Sequence, residues 1–377
     1  MSRFREIAAE LNALPGKVFV VATGAGATFG EFFVVPGASK TLLGFFVPYD
    51  QHFFDEFAGK PDSYASPDAA RKLAVAAYYK AKICKKQDSS EFVYGIGAAC
   101  SIATTPERAG RQHKIHVALH GEGFTEVWDL ILDQGLSREE EETAVRNLIL
   151  EAVCRAKGVT YTSNAFQLRG VVSFNCDIAQ ATISEEGLVE EGDPPFLQLY
   201  HASFPNPPCL EQGARVVLFP GSFNPFHEGH QAMYDLATQI LGQKPLPELS
   251  VRNADKPPLD YMSLNERVEG LQHTGVVLTR ASKMIDKVRL FRKWGVSAVT
   301  FVVGADTWQR ILDPRFLEPG ELEEFAETDT KFLVFGRGDA SIMATSDLRN
   351  LMIESEKARS FNRPVSSTSI RKEKLRG

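Results

Sequence analysis

Val216–His230 reads VVLFPGSFNPFHEGH, and this stretch decides how the rest of the chain is read. Its opening residues are apolar and of strand type. Pro220-Gly221-Ser222-Phe223-Asn224-Pro225 then breaks the run, and His227 and His230 follow three residues apart. Side chains at i and i+3 share one face of a helical turn, so the two imidazoles face the same way. Such a pair fits surface histidines after a turn, two ligands of a metal site, or a cradle for a nucleotide triphosphate. A metal needs a third protein ligand and usually a nearby acid, and Glu228 falls on the opposite side of the turn. The phosphate cradle explains more of the residues. Gly221 lets the backbone turn and approach an anion without a Cβ in the way, and Pro225 stiffens the loop. A helix starting near His227 aims unbonded N–H groups and its positive dipole end at the same place. Gly229 omits a side chain that would crowd the phosphates.

Size and composition limit what can surround this stretch. A chain of 377 residues exceeds one ordinary core, so two domains are expected. Hydrophobic residues make up 44% and charged residues 24%, the balance of a globular protein. With 42 Lys+Arg against 48 Asp+Glu the net charge is -6, which gives no global attraction to nucleic acid or anionic membrane. Any phosphate site must be local. Cys84, Cys100, Cys154, Cys176 and Cys209 are odd in number, scattered and never CxxC, as in reduced cytoplasmic proteins. The N-terminus, MSRFREIAAELNALPG, carries charges through its apolar positions and reads as a helix, not a signal peptide.

From residue 213 onward, strand candidates alternate with helical stretches: Arg215–Phe219, Glu248–Val251, Gly275–Leu278, Val299–Val303 and Lys331–Phe335. This pattern predicts α/β architecture with a doubly wound parallel sheet covered on both faces. Ligands of such sheets bind beyond the carboxyl ends of the strands. The five exits there are GSFNPFHEGH, RNADK, TRASK, GADTW and GRGD. All are polar or glycine-rich, as a nucleotide site requires.

GSFNPFHEGH resembles the signature of the nucleotidyltransferase superfamily, which includes nicotinamide and nicotinate mononucleotide adenylyltransferases, pantetheine-phosphate adenylyltransferases and cytidylyltransferases. VSSTSIRK (Val365–Lys372) is similar to that superfamily's hydroxyl-rich segment ending in Ile-Arg. VVGADTW (Val302–Trp308) resembles its Gly-x-Asp. The resemblance covers residues 213–377 with the motifs in family order, and implies a Rossmann-like domain. It implies adenylyl transfer from ATP, with Mg²⁺, to the 5′-phosphate of a pyridine mononucleotide. His227 and His230 would stabilise charge on the α and β phosphates, while Lys256 and Arg371 would neutralise the leaving pyrophosphate. Gly221, Ser222, Phe223, Asn253, Gly304, Asp306, Ser366, Ser367 and Thr368 would contact the nucleotide. Read alone, Ser366-Ser367-Thr368 also fits a plain helix N-cap. Before the fourth strand, where nicotinate-specific members carry a Tyr-Thr segment, this chain has LTRASKMIDKVRLFRKWG without a Tyr, which leaves Trp294 and Trp308 as candidates to stack on the acceptor ring. A non-catalytic nucleotide-binding protein, or transfer to another phosphorylated acceptor, stays open.

The first block shows Ser66-Pro67 opening one helix and Ser137 with Glu140 forming a capping box for another. Val145, Leu148, Ile149, Ala152 and Val153 line one face of the second helix, and Gly158 closes it. Strand candidates are Lys17–Ala22, Phe92–Ile96 and Lys114–Leu119. The order TGAG, PGAS, GFFVPYD, SPDAARKLA, GIGAACSIATTPERAG resembles the C-terminal domain of CinA-like proteins, the nicotinamide mononucleotide amidohydrolases. Pro36, Gly37, Ser39 and Tyr49 match that family. The nucleophilic Ser falls on Ala22 and the downstream Lys on Phe54, so the resemblance implies a degenerate site, with Thr23 and Thr28 as the remaining hydroxyls. The expected organisation is a CinA-like domain at 1–165, a connection at 166–212 in which FLQLY adds an edge strand, and the nucleotidyltransferase domain at 213–377. Expected partners are ATP and a small phosphorylated acceptor, without nucleic acid or membrane. The N-terminal domain is left to structure, homo-oligomer formation or ligand sensing.

Overall fold

The computed structural model describes residues 2–84, 91–106, 110–160, 171–180, 197–200, 212–251, 258–271, 274–336, 346–363 and 365–374. Chain contacts define two units, Met1–Glu185 with Lys256–Ser263, and Glu186–Asp255 with Leu264–Gly377.

In the first unit, helix α1 (Arg3–Leu11) precedes β1 (Lys17–Thr23) and β2 (Leu42–Phe46). Helices α2 (Gln51–Ala58) and α3 (Pro67–Cys84) lead to β3 (Val93–Ser101), β4 (His113–Gly121) and β5 (Phe124–Leu132). Helix α4 (Arg138–Ala156) and β6 (Val171–Gln180) complete it. The sheet order is β2-β1-β3-β4-β5-β6. β1 runs parallel to β2 and β3, and the remaining pairs are antiparallel. Helix α3 lies directly on β3, where Gly95 and Gly97 make room. A Cβ on Gly97 would stand 2.2 Å from the Ala70 carbonyl oxygen, and one on Gly95 2.0 Å from that of Ala74. Both expected caps form. Ser66 Oγ accepts the Ala69 N–H at 3.2 Å, and Ser137 with Glu140 makes a reciprocal box. The α4 face Val145, Leu148, Ile149, Ala152 and Val153 is buried in the core with α1.

One element differs from the sequence reading. Residues 171–180, inside the expected connection, pair antiparallel with β5 from Phe124↔Gln180 to Leu132↔Val171. The local signal is an alternation, Val172, Phe174, Cys176, Ile178. The face it defines is exposed, with Phe174 at 56%, so it carries no core pattern that would have marked it as part of the domain.

The second unit contains β7 (Leu197–Tyr200), β8 (Arg215–Pro220), β9 (Leu246–Ser250), β10 (Val276–Thr279), β11 (Ala298–Gly304) and β12 (Lys331–Phe335). Their order is β12-β11-β8-β9-β10-β7. β8 to β12 are mutually parallel, and β7, the FLQLY edge strand, pairs antiparallel with β10. From β8 the chain moves outward through β9 and β10, then returns to the other side of β8 at β11. Strand order therefore reverses between β8 and β11, and the crevice outside their carboxyl ends is where such sheets bind ligands. No helix among the described residues is long and apolar enough to cross a membrane. Cys84, Cys100, Cys154 and Cys176 are free thiols.

Candidate nucleotide site

The loop leaving β8 is organised around Phe223. This residue has φ +43°, an uncommon left-handed value for a bulky side chain, and its ring is 1% exposed. It packs edge-on against Phe219 at 5.4 Å and against His230 at 5.3 Å. A Cβ on Gly221 would lie 2.5 Å from the Phe223 ring. The space a side chain at Gly221 would need is thus filled by Phe223, a reason for the glycine that the sequence does not show. Arg267, which sequence reading missed, donates through Nη1 to the Ser222 carbonyl at 3.2 Å and to its hydroxyl at 3.1 Å.

His227 is the N-cap of helix Glu228–Leu241. Its Nδ1 accepts from the amides of Gly229 at 3.1 Å and His230 at 3.4 Å, and His230 Nδ1 accepts from the His227 amide at 3.3 Å. The rings stack with centroids 3.8 Å apart and planes at 24°. Two consequences follow. The first-turn amides expected to face phosphate are partly taken by His227. And because each Nδ1 faces an N–H donor, the neutral rings carry their proton on Nε2, which makes the Nε2 edges hydrogen-bond donors. Gly229 serves the same pair: a Cβ there would stand 3.0 Å from His227 Cε1.

The C-terminal segment packs onto this loop. Ser366 Oγ accepts the Ser369 amide at 3.1 Å and so caps helix Ser367–Lys374. Ser367 Oγ donates to the Pro225 carbonyl at 3.0 Å, and Arg371 Nη1 donates to the Asn224 carbonyl at 2.5 Å. The cap reading holds for Ser366, while Ser367 and Arg371 tie the segment to the β8 loop. Thr368 is exposed. Across the switch point, Gly304 ends β11, and a Cβ there would meet nothing within 4 Å. Asp306 stands exposed in the first turn of helix Ala305–Ile311. The structure thus brings Gly221, Ser222, Phe223, His227, His230, Ser366, Ser367, Thr368 and Arg371 to the β8 exit, with Gly304 and Asp306 at the neighbouring β11 exit. Asn253 and Lys256 lie outside the described residues.

A cleft of about 320 Å³ opens at these strand ends, with Ser222, Glu248, Arg267, Lys283, Arg310 and Phe316 in its lining. On its floor, Lys287 Nζ donates to Glu248 Oε1 at 2.9 Å, both side chains being almost fully buried. Lys283 is paired with Glu318 and Glu321. Arg310 lies over the Phe316 ring at 4.9 Å. Trp308 is fully buried against Phe332, and Trp294, 45% exposed, follows the helix Met284–Lys293 that leads to the amino end of β11. Neither lines the cleft, and Trp308 is part of the core.

A parallel sheet with a glycine loop and a histidine-capped helix at its switch point is that of a nucleotide-binding α/β domain. Comparison with known families agrees: residues 218–373 match the cytidylyltransferase-like family. The C-terminal unit therefore carries a cytidylyltransferase-like domain of the nucleotidyltransferase superfamily, which supports nucleotidyl transfer as the general reaction. The N-terminal part is similar to solved structures of the CinA superfamily. One is the competence/damage inducible protein CihA from Agrobacterium tumefaciens, at 18% identity over 42% of this chain and 93% of that one, TM-score 0.28. Others are CinA superfamily proteins from Escherichia coli (13% identity, 41% and 85% coverage, TM-score 0.27) and Klebsiella pneumoniae (10% identity, 41% and 96% coverage, TM-score 0.31). No curated protein matches the chain.

Proposed function

We propose that the protein transfers an adenylyl group from ATP to a pyridine mononucleotide, nicotinamide or nicotinate, releasing pyrophosphate. The observation that carries this reading is the reciprocal His227–His230 cap at the β8 exit, which commits both Nδ1 atoms to backbone amides and leaves the Nε2 edges as the donor side of the two rings. In the reaction an oxygen of the acceptor's 5′-phosphate forms a bond to the α-phosphorus of ATP. The bond from that phosphorus to the α–β bridging oxygen breaks, and pyrophosphate leaves with the electron pair. Such transfer asks for positioning and charge stabilisation, not for a nucleophilic side chain. The two Nε2–H groups would meet charge developing on the phosphates. Arg371 holds the loop through Asn224, and its guanidinium would neutralise charge on the leaving group. Mg²⁺ bound with the triphosphate, held largely by phosphate oxygens and water, would neutralise phosphate charge. The cleft beside Ser222 suits the acceptor, with Arg267 and Arg310 supplying positive charge for its phosphate.

The N-terminal unit takes no hydrolytic role in this reading. Ala22 stands where the resembling family has its serine, and Phe54, 1% exposed, lies in the core where that family has lysine. Thr23 Oγ1 donates to the Pro48 carbonyl at 3.0 Å, and Thr28 Oγ1 donates to the Glu142 carbonyl at 3.1 Å, with Glu142 Oε2 farther off at 3.5 Å. A hydroxyl nucleophile needs an activating base, which a backbone carbonyl does not supply. The test is incubation with ATP, Mg²⁺ and each mononucleotide, with CTP in parallel because the matching family is described as cytidylyltransferase-like. Pyrophosphate together with a dinucleotide product is expected from ATP. Product from CTP alone would contradict the adenylyl assignment.

A further inference from the structure

The floor of the cleft beside Ser222 holds two charged side chains that water scarcely reaches. Glu248 of β9 is 1% exposed. Its Oε1 accepts from Lys287 Nζ at 2.9 Å and from Thr279 Oγ1 of β10 at 2.5 Å. Lys287, on helix Met284–Lys293, also donates to the Ala281 carbonyl, which the Ser250 hydroxyl reaches at 3.0 Å. Glu248, Ser250 and Lys287 all belong to the second unit and all line the cleft. Glu248 also adjoins the β8 loop, because its backbone carbonyl accepts the Gly221 amide at 3.0 Å. Burying a carboxylate and an ammonium costs free energy even when they are paired. An apolar floor would join β9 to β10 without that cost. A few polar groups set into a cleft are what orient and select a ligand.

The bonds on this floor are uneven. Both side-chain donors to the Glu248 carboxylate end on Oε1, and Oε2 accepts from no side chain among the described residues. An ionised carboxylate only accepts, so the floor calls for a donor. The two lysines of the lining are already claimed by acids, Lys287 by Glu248 and Lys283 by Glu318 and Glu321. We infer that Glu248 selects the ring substituent of the acceptor: its Oε2 accepts from a carboxamide N–H, so the acceptor is nicotinamide mononucleotide and not nicotinate mononucleotide. This rests on the proposed pyridine mononucleotide as acceptor. The carboxamide brings two N–H donors on a cationic ring. A carboxylate in its place brings no donor, and sets a second negative charge against Glu248 where little water screens the two. The lining then answers both ends of the ligand, Arg267 and Arg310 its phosphate and Glu248 its amide.

The experiment titrates each mononucleotide alone into the full-length protein by calorimetry, then offers each with ATP and Mg²⁺. The wild type should favour nicotinamide mononucleotide at least about 10²-fold in Kd and in kcat/KM, since a site built to hydrogen-bond one group rejects the analogue lacking it. Glutamine can donate to a carboxylate, so in Glu248→Gln the ratio should fall to within about threefold or reverse. Thr330→Val removes a buried hydroxyl contact with Thr328 outside the cleft lining, and should leave the ratio unchanged. Loss of stability alone weakens both ligands together and does not move that ratio. If thermal unfolding shows that Glu248→Gln does not fold, Glu248→Gln/Lys287→Met, which removes both buried charges, takes its place with the same fall expected. Equal acceptance of the two mononucleotides by the wild type, a preference for nicotinate, binding of neither, an unchanged ratio in the Glu248 variant, or an equal fall in Thr330→Val would each overturn the inference. Binding that favours nicotinamide mononucleotide through Glu248, without transfer from ATP or CTP, would uphold it and remove the transfer reading.

Discussion

His227 and His230 cap each other: each Nδ1 accepts the other residue's amide, at 3.4 and 3.3 Å, and the rings stack at 3.8 Å between centroids. A histidine pair so bound to its own backbone is locked in rotamer and tautomer before any ligand arrives. Pre-set donors cost no reorganisation when charge develops, and this is how such groups lower a barrier.

The cap and the proposed donor role separate by substitution. Asparagine is a good N-cap, whereas alanine at that position costs about 1 kcal/mol of helix stability. His227→Asn should therefore melt near the wild-type temperature while His227→Ala melts lower. Both lose the Nε2 donor and should slow transfer about 10²-fold, as should His230→Ala. Single-turnover kinetics beside thermal unfolding would check this. Wild-type rates in His227→Asn would reduce the pair to a helix cap.

Arg371 bonds to the Asn224 carbonyl and is half-buried, which is not the setting of a solvated surface charge. Charge-assisted contacts to a polyphosphate contribute about 1.5–3 kcal/mol each. Arg371→Ala should weaken ATP binding or slow turnover between about tenfold and a hundredfold, while AMP, lacking the β and γ phosphates, binds nearly as before. Titration calorimetry with both nucleotides reads the contrast. Equal losses for ATP and AMP would mean that Arg371 only shapes the loop.

The first unit carries a built-in acid sensitivity. Burial pushes the His120 imidazole down to about 4 from its usual 6.5, against a smaller opposing pull from Asp260. Between those values the unfolded chain binds a proton that the folded ring refuses, so stability falls as pH drops from 6.5 toward 4 and is flat above that window. The total is about 3 kcal/mol for one such group. Denaturant titrations at pH 7.5 and pH 4.5 should show the loss in the wild type and a smaller one in His120→Gln; identical losses would assign the acid sensitivity elsewhere.

Hydrolysis of nicotinamide mononucleotide is the activity expected to be missing. With Ala22 at the family's serine position and the Thr23 and Thr28 hydroxyls bonded to carbonyls, the full-length protein should release no ammonia from it above the buffer rate. Ammonia in proportion to protein, and its loss in Thr23→Val or Thr28→Val, would locate a nucleophile that the resemblance does not indicate.

Local patterns made much of the second unit legible. Alternating apolar strands and helices announced a parallel sheet, and residues of the polar strand exits, Ser222 and Lys283 among them, line its cleft. What escaped was non-local or depended on shape. The Asp260–Arg71 pair and the Tyr261–His120 stack join residues far apart in sequence, and no periodicity encodes such a partner. Strand β6 was hidden because its apolar face is exposed rather than core-forming. Sequence could not show that the Phe223 ring occupies the space a Cβ on Gly221 would need. Trp308 could not be told from a stacking surface until Phe332 was seen against it. The histidine spacing did reveal one shared face, but not that both Nδ1 atoms are spent on the helix end.

The central claim is tested most directly by mixing purified protein with ATP, Mg²⁺ and nicotinamide or nicotinate mononucleotide, then measuring pyrophosphate and the mass of the nucleotide product. The account predicts equal amounts of pyrophosphate and a pyridine dinucleotide, formed by the wild type and about 10²-fold more slowly by His227→Asn. ATP consumed without a dinucleotide, or no pyrophosphate from ATP with either mononucleotide, would contradict it.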